Sequence, residues 1–143
     1  MALAIRLAGP QDAGLALAID PVAATSPHRA QWLRAAFAGD HGRIARLALL
    51  DGQPAGFAVV GAFFSNPFLD LLVTGEAFRR RGVASALLDA VEAAHADRKL
   101  FVSTNASNTL MRALLPARGY LPAGRVDHLD PGDPELFFVR LPV

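Results

Sequence analysis

Apolar positions along this chain fall into two rhythms, one near two residues and one near three to four. LAIRL (3–7) sets large apolar side chains on alternate positions and predicts a strand. PQDAGLALAI (10–19) opens with Pro10 and an acidic first turn, as helix starts do. Residues 26–39 begin with a Ser-Pro cap signal, after which Trp32, Leu33, Ala36 and Phe37 share one helical face. The apolar runs 43–50 and 55–64 flank the turn tetrapeptide DGQP and predict a hairpin. FLDLLV (68–73) predicts the next strand, and 82–97 a helix with Val83, Leu87, Val91 and Ala94 on one stripe. KLFVST (99–104) reads as a buried strand and 107–115 as a short helix. The runs 120–129 and 135–141, separated by DPGDP, predict a closing hairpin.

The predicted order is β-α-α-β-β-β-α-β-α-β-β. A right-handed crossover through the 82–97 helix makes strands 68–73 and 99–104 parallel, while the flanking hairpins are antiparallel. The expected class is α/β (α+β mixed sheet) with helices on the faces of the sheet. At 143 residues, with no repeat or linker-like tract, one domain over 1–143 is expected.

Composition narrows the function classes. The net charge of +1 gives no global attraction to nucleic acid. No apolar run approaches the ~20 residues of a membrane helix, so no membrane partner is expected. The N-terminal stretch has the apolarity of a signal peptide, but Arg6, Gln11 and Asp12 interrupt it, and it reads as mature sequence. With no cysteine, a cytoplasmic location is the default expectation, and a thiolate metal site is excluded. His28, His41, His95 and His128 lack ligand spacing, so no metal is expected.

One stretch breaks an electrostatic rule. LLVTGEAFRRRGVASALLDAV (71–91) runs from a strand through Arg79, Arg80 and Arg81 to Gly82, and then into a helix. A helix N-terminus presents unpaired N–H groups and partial positive charge, so cations there are unfavourable by about 0.3–1 kcal/mol each. A bound anion reverses the sign, because N–H groups, dipole and guanidinium forks then converge on it. Gly82 and the small Ala84 leave room for close approach. Two plainer readings remain: a solvated arginine run, and a glycine that serves only the turn. A Walker loop is excluded because no G-K-[ST] follows, and the dinucleotide fingerprint G-x-G-x-x-G is absent.

VTGEAFRRRGVASALL resembles the acetyl-CoA-binding motif [Q/R]-x-x-G-x-[G/A] of the GCN5-related N-acetyltransferase (GNAT) family, with Arg79, Gly82 and Ala84 at its fixed positions. Asn108, followed eleven residues on by Gly119-Tyr120, resembles a second family feature, and the element order also matches. The resemblance implies a GNAT-like acyl-CoA N-acyltransferase fold: a central, mostly antiparallel mixed sheet, splayed parallel central strands and about four helices. It implies acetyl-CoA as co-substrate and a primary amine, small or peptidic, as acceptor. The pyrophosphate would lie on backbone N–H groups around Arg81, Gly82, Val83 and Ala84, beside Arg79 and Arg80, with Ser85 adding a hydroxyl. The pantetheine arm would pair with strand 68–73 around Leu72 and Val73. A backbone N–H near Val73 would hold the oxyanion, and Asn108 would contact the arm. A homodimer is common in the family.

The sequence departs from the family where a tyrosine acid is usual, seven residues after the Asn. Leu115 stands there and cannot donate a proton. Tyr120 fills the Gly-aromatic position and reads as packing. Pro116 is expected to kink or end the 107–115 helix. The interval from Val73 to Gly82 is one residue long against the family pattern. Candidate bases are Asp70, whose parity puts it on the face of Leu72, and His128, beside Asp127 and Asp130. Glu135 reads as a ligand for the acceptor ammonium or simply as a strand start, and Trp32 as core or acceptor-pocket wall; His28 and His41 read as capping or solvated residues. Two other classes stay open: a non-catalytic acyl-CoA sensor, and a phosphate-backbone binder disfavoured by the absence of a basic stripe.

Overall fold

The alternating N-terminal stretch forms strand β1 (Leu3–Ala8) in the computed structural model, which describes residues 2–143. It runs antiparallel to β2 (Ile44–Leu50), from Leu3 opposite Leu50 to Ala8 opposite Ala45. Asp51 and Gly52, at φ +50° and +80°, form the two-residue turn that their residue types favour, so β3 (Gln53–Phe63) starts two residues earlier than expected. The next turn has no such sequence signal. Phe64 and Ser65 adopt φ +48° and +64°, and Asn66 Nδ2 donates to the carbonyls of Phe63 and Phe64 before β4 (Asn66–Thr74) begins. Seven strands are hydrogen-bonded in the order β1-β2-β3-β4-β5-β7-β6, a mixed sheet of the expected class. No helix among the described residues is long and apolar enough to cross a membrane.

The chain forms two compact units. The first comprises residues up to Gly61 together with Asp70–Ala94. In it, helices α1 (Ala13–Ile19) and α2 (Pro27–Phe37) cover one sheet face. Ser26 caps α2 by accepting from the Arg29 amide, as the Ser-Pro signal predicts. Leu33, Leu47 and Phe57 are fully buried there, each worth about 1.5–3 kcal/mol of transfer free energy. Phe37 meets Phe57 edge-on at 5.7 Å. Helix α3 (Val83–Ala94) buries Val83, Leu87, Leu88 and Val91 on the other face. It ends three residues short of the expected Asp97, and His95–Arg98 leave it as a turn closed by Arg98 N–H to the His95 carbonyl. The early helical segment opens as a 3-10 turn at Pro10–Asp12 before α1. Asp12 accepts two bonds from Arg6, at 2.9 and 3.0 Å, and one from the Gly9 amide.

The second unit comprises Ala62–Leu69 and His95–Val143. Strand β5 (Leu100–Asn105) runs parallel to β4 over two register pairs, Phe68 opposite Phe101 and Leu69 opposite Val102. It is antiparallel to β7 (Glu135–Arg140), which pairs outward with β6 (Leu121–Val126). Leu69, Leu100, Val102, Leu115, Tyr120 and Phe138 form its buried set. Helix α4 (Thr109–Ala117) continues through Pro116, which corrects the expected stop at Leu115. Pro116 cannot donate to the carbonyl four residues back, but the helix closes beyond it, where the carbonyls of Leu114, Leu115 and Pro116 accept from the Arg118 and Gly119 amides.

Candidate functional site

In the first unit the anomalous turn is resolved residue by residue. After Thr74 the chain makes a 3-10 turn at Glu76–Phe78, within the interval between Val73 and Gly82. Arg79, Arg80 and Arg81 are exposed, and none pairs with a carboxylate among the described residues. Arg80 and Gly82 both adopt left-handed conformations, φ +64° and +80°. Such reversals turn successive amides toward one side and build anion-binding concavities. Helix α3 opens with the Ala86 amide donating to the Gly82 carbonyl, so the Val83, Ala84 and Ser85 amides lie in the turn that has no intrahelical acceptor. A Cβ built on Gly82 meets nothing within 4 Å. The space over this helix start is open.

Strand β4 carries the remaining first-unit candidates. Leu71 and Val73 pack against the cluster beneath α1 and α2 that contains Phe57 and Val59. A Cβ on Gly61, which shares the parity of Val59, would overlap Asp70 Oδ2. Asp70 and Leu71 thus face the same side, and strand alternation slips by one between them. The expectation that Asp70 and Leu72 share a face is corrected: Leu72 alternates with Leu71 and Val73 and takes the opposite side. A local slip of this kind leaves no mark in an apolar run.

Asp70 does not stand alone. Its Oδ2 accepts from Arg43 Nε at 3.1 Å, with the two side chains 18% and 24% exposed. Burial pushes the Asp70 carboxyl above the usual carboxylate range, against the opposing pull of Arg43. The Arg43 guanidinium carbon lies 5.2 Å from the centre of the Trp32 ring. Sequence reasoning named Asp70 and Trp32 but missed Arg43, which no local spacing links to either. At the other end of β3 and β4 in this unit, Leu15, Ile19, Pro21, Pro54, Gly75 and Phe78 line an open apolar groove of about 490 Å³.

In the second unit Asn108 caps α4, with Oδ1 accepting from the Met111 amide at 3.2 Å. Its Nδ2 has no partner among the described residues. Leu115 is fully buried, so position 115 faces the core of this unit. Tyr120 is 2% exposed, in agreement with a packing role. Glu135 starts β7 opposite Asn105. His128 is exposed at φ +73° in the loop between β6 and β7, against a small depression lined also by Asp127, Asp130 and Asp133. That loop is pinned by Asn105 Nδ2 to Asp130 and by Ser107 to Asp133 through both its amide and its hydroxyl. His28 is exposed in α2, and His41 is exposed at φ +57°.

The acetyltransferase (GNAT) family model matches residues 15–120. The chain belongs to the GNAT acetyltransferase family. A GNAT-family acetyltransferase from Bacillus cereus ATCC 10987 superposes with a TM-score of 0.85 at 29% identity, over 100% of this chain and 99% of that one. The ribosomal-protein-S18-alanine N-acetyltransferase of Escherichia coli gives 0.82 at 20% identity, over 99% and 94%. Arabidopsis thaliana NAA60, solved with a bisubstrate analogue, gives 0.76 at 17% identity over 97% of each chain. The last two likenesses speak to the fold. No curated protein sequence matches the chain. Within this GNAT chain the motif residues Arg79, Gly82 and Ala84 fall where α3 starts, so the family and the electrostatic anomaly concern the same turn.

Proposed function

We propose that this GNAT protein is an acetyl-CoA-dependent N-acetyltransferase acting on a primary amine by direct attack. The observation that carries the reading is the start of α3: three exposed arginines without carboxylate partners, left-handed Arg80 and Gly82, and open space above the glycine. This donor set fits a diphosphate, whose charge offsets the cost of cations at a helix N-terminus. Amides of Arg81, Gly82, Val83 and Ala84 would donate to its oxygens, with the Ser85 hydroxyl beside them and Arg79 and Arg80 adding charge. Around Leu72 and Val73 the β4 backbone would pair with the pantetheine amides.

When bound, acetyl-CoA supplies a thioester carbonyl open to attack and a thiolate leaving group. The backbone N–H near Val73 would donate to the carbonyl oxygen as negative charge develops there. Asp70 would take the proton of the attacking amine, and its raised pKa suits a base better than an ordinary carboxylate does. The carbon–nitrogen bond forms and the carbon–sulfur bond breaks, and water protonates the departing thiolate because Leu115 supplies no acid. In the second unit, Asn108 stays a candidate on the strength of the family resemblance alone, and His128 on that of its residue type. Acceptors would be small-molecule or peptide amines.

Titration calorimetry with acetyl-CoA tests the cradle, and thiol release across a panel of primary amines tests the transfer. No heat at high micromolar acetyl-CoA sinks the proposal. The burial of Leu115 where an acid is usual favours one other reading, an acyl-CoA sensor that binds without turnover. Binding with no thiol release on any amine would select it.

A further inference from the structure

Asp70 is gripped by one oxygen. Arg43 Nε holds Oδ2, and no hydrogen bond among the described residues engages Oδ1. The donor is itself fixed, because a guanidinium 5.2 Å from an indole centre is held by the ring's negative face. The carboxylate sits against bare backbone at Gly61, where a methyl group would displace it. Both side chains are largely shielded from water, so their attraction is less screened than that of a surface pair.

Among the described residues no other charged side chain bonds Asp70. Strand β3, beside β4, carries no charged residue, and neither does β5. Of the charged residues on α2, Arg29 is engaged by Asp20 at 2.8 Å, and His28 and Arg34 make no bond to Asp70 among the described residues. Arg46 alternates with buried Ala45 and Leu47 and lies on the opposite sheet face.

We infer that Arg43, braced on Trp32, is a positioning residue: it fixes the Asp70 carboxylate through Oδ2, keeps it ionised, and leaves Oδ1 to take the acceptor's proton. The inference rests on the reading of Asp70 as the base. It assigns a role to three residues, from α2, from the residue just before β2, and from β4. Burial alone disfavours the charged carboxylate, and a base must be charged to act. Arg43 opposes burial without filling both oxygens, as a bidentate fork would.

The test is the titration of Asp70, followed by carboxyl-carbon NMR on the full chain labelled in aspartate. Arg43→Ala should move the Asp70 midpoint to higher pH. Arg43→Lys should return it toward the wild-type position, and Trp32→Leu should move it less, in the same direction. An unmoved midpoint in folded Arg43→Ala overturns the inference. If that variant does not fold, Arg43→Gln and Trp32→Leu carry the same expectation and the same refutation. Acetyl transfer to spermidine and to a peptide with a free N-terminal alanine supplies the kinetic arm. The acid limb of kcat/KM should shift upward in Arg43→Ala, giving a several-fold loss at neutral pH that higher pH recovers. A loss that is uniform across pH overturns the inference. Asp70→Asn tells the two failures apart: a wild-type acid limb there removes the base reading, whereas loss of the limb with no Arg43 effect removes this inference alone.

Discussion

Replacing Gly82 by Asp separates the folded state from the proposed diphosphate site more cleanly than any arginine change. In the free protein the substitution has two opposed effects. A side chain at φ +80° strains the backbone by about 1–2 kcal/mol. An acidic residue at the start of a helix recovers roughly 0.5–1 kcal/mol, and a Cβ there meets no atom within 4 Å. The net change is about 1 kcal/mol or less, a shift of a few degrees in Tm for a chain of this size. Binding should suffer more. One negative charge about 5 Å from a diphosphate of about −2 costs roughly 2 kcal/mol at an effective dielectric near 60, some forty-fold in affinity. Loss of the close backbone approach adds to this. Titration calorimetry with acetyl-CoA at low salt measures the affinity, and a thermal melt checks the fold. A Gly82→Asp protein that melts within a few degrees of wild type and binds acetyl-CoA with wild-type affinity would refute the placement of the diphosphate on α3.

Three further outcomes are expected. Arg81→Ala should weaken acetyl-CoA binding several-fold and flatten its salt dependence, leaving Tm within about 2 °C, since exposed charges contribute little to folding; an unchanged salt slope counts against the cradle. Asp12 is held at about 2 by its bonds from Arg6 and then from the Gly9 amide, below the ordinary 3.8. Its contribution is therefore present above pH ~4 and lost as pH falls through ~2, so Asp12→Asn should cost about 1–2 kcal/mol at pH 7 after allowance for the 45% exposed Arg6, and almost nothing near pH 2. Chemical denaturation at the two pH values decides it, and an equal cost at both contradicts the pairing. Leu115→Tyr should lower stability by about 1–3 kcal/mol through overpacking and should not speed thiol release, because position 115 faces the core; a faster enzyme would overturn that account.

Strands and helices were legible where burial imposes a period. Leu3 and Ile5, or Val83, Leu87 and Val91, declare their element because a face must be apolar, whereas Leu7 keeps the strand rhythm while 65% exposed. The helix start at Gly82 was legible for the opposite reason: its charges contradict the helix dipole, and the contradiction itself pointed to a ligand. Positions set by a single non-local contact were hidden. Arg43 and Asp70 are twenty-seven residues apart, and nothing in either neighbourhood announces the other. The slip between Asp70 and Leu71 was hidden too, because FLDLLV offers apolar residues to both faces. Phe64-Ser65 turns without the Asn or Gly that such a turn favours. Pro116 reads as a stop, yet the capping amides beyond it let the helix run one residue further than the proline itself.

Gly56 shows what a hydrogen atom can calibrate. A methyl group there would come within 2.6 Å of the Val73 carbonyl oxygen and 2.8 Å of Val83 Cγ1. Three chain segments thus converge on one small contact: the middle of β3, the end of β4, and the first residue of α3. Val73 is the proposed oxyanion donor's neighbourhood, and Val83 opens the proposed phosphate cradle. Within the first unit, Gly56 therefore acts as a gauge block between the two ends of a reagent some tens of atoms long. A larger residue would not merely crowd the core. It would reset the span between the proposed phosphate cradle and the proposed oxyanion site, so mutational tolerance at this distant-looking glycine tests that proposed alignment.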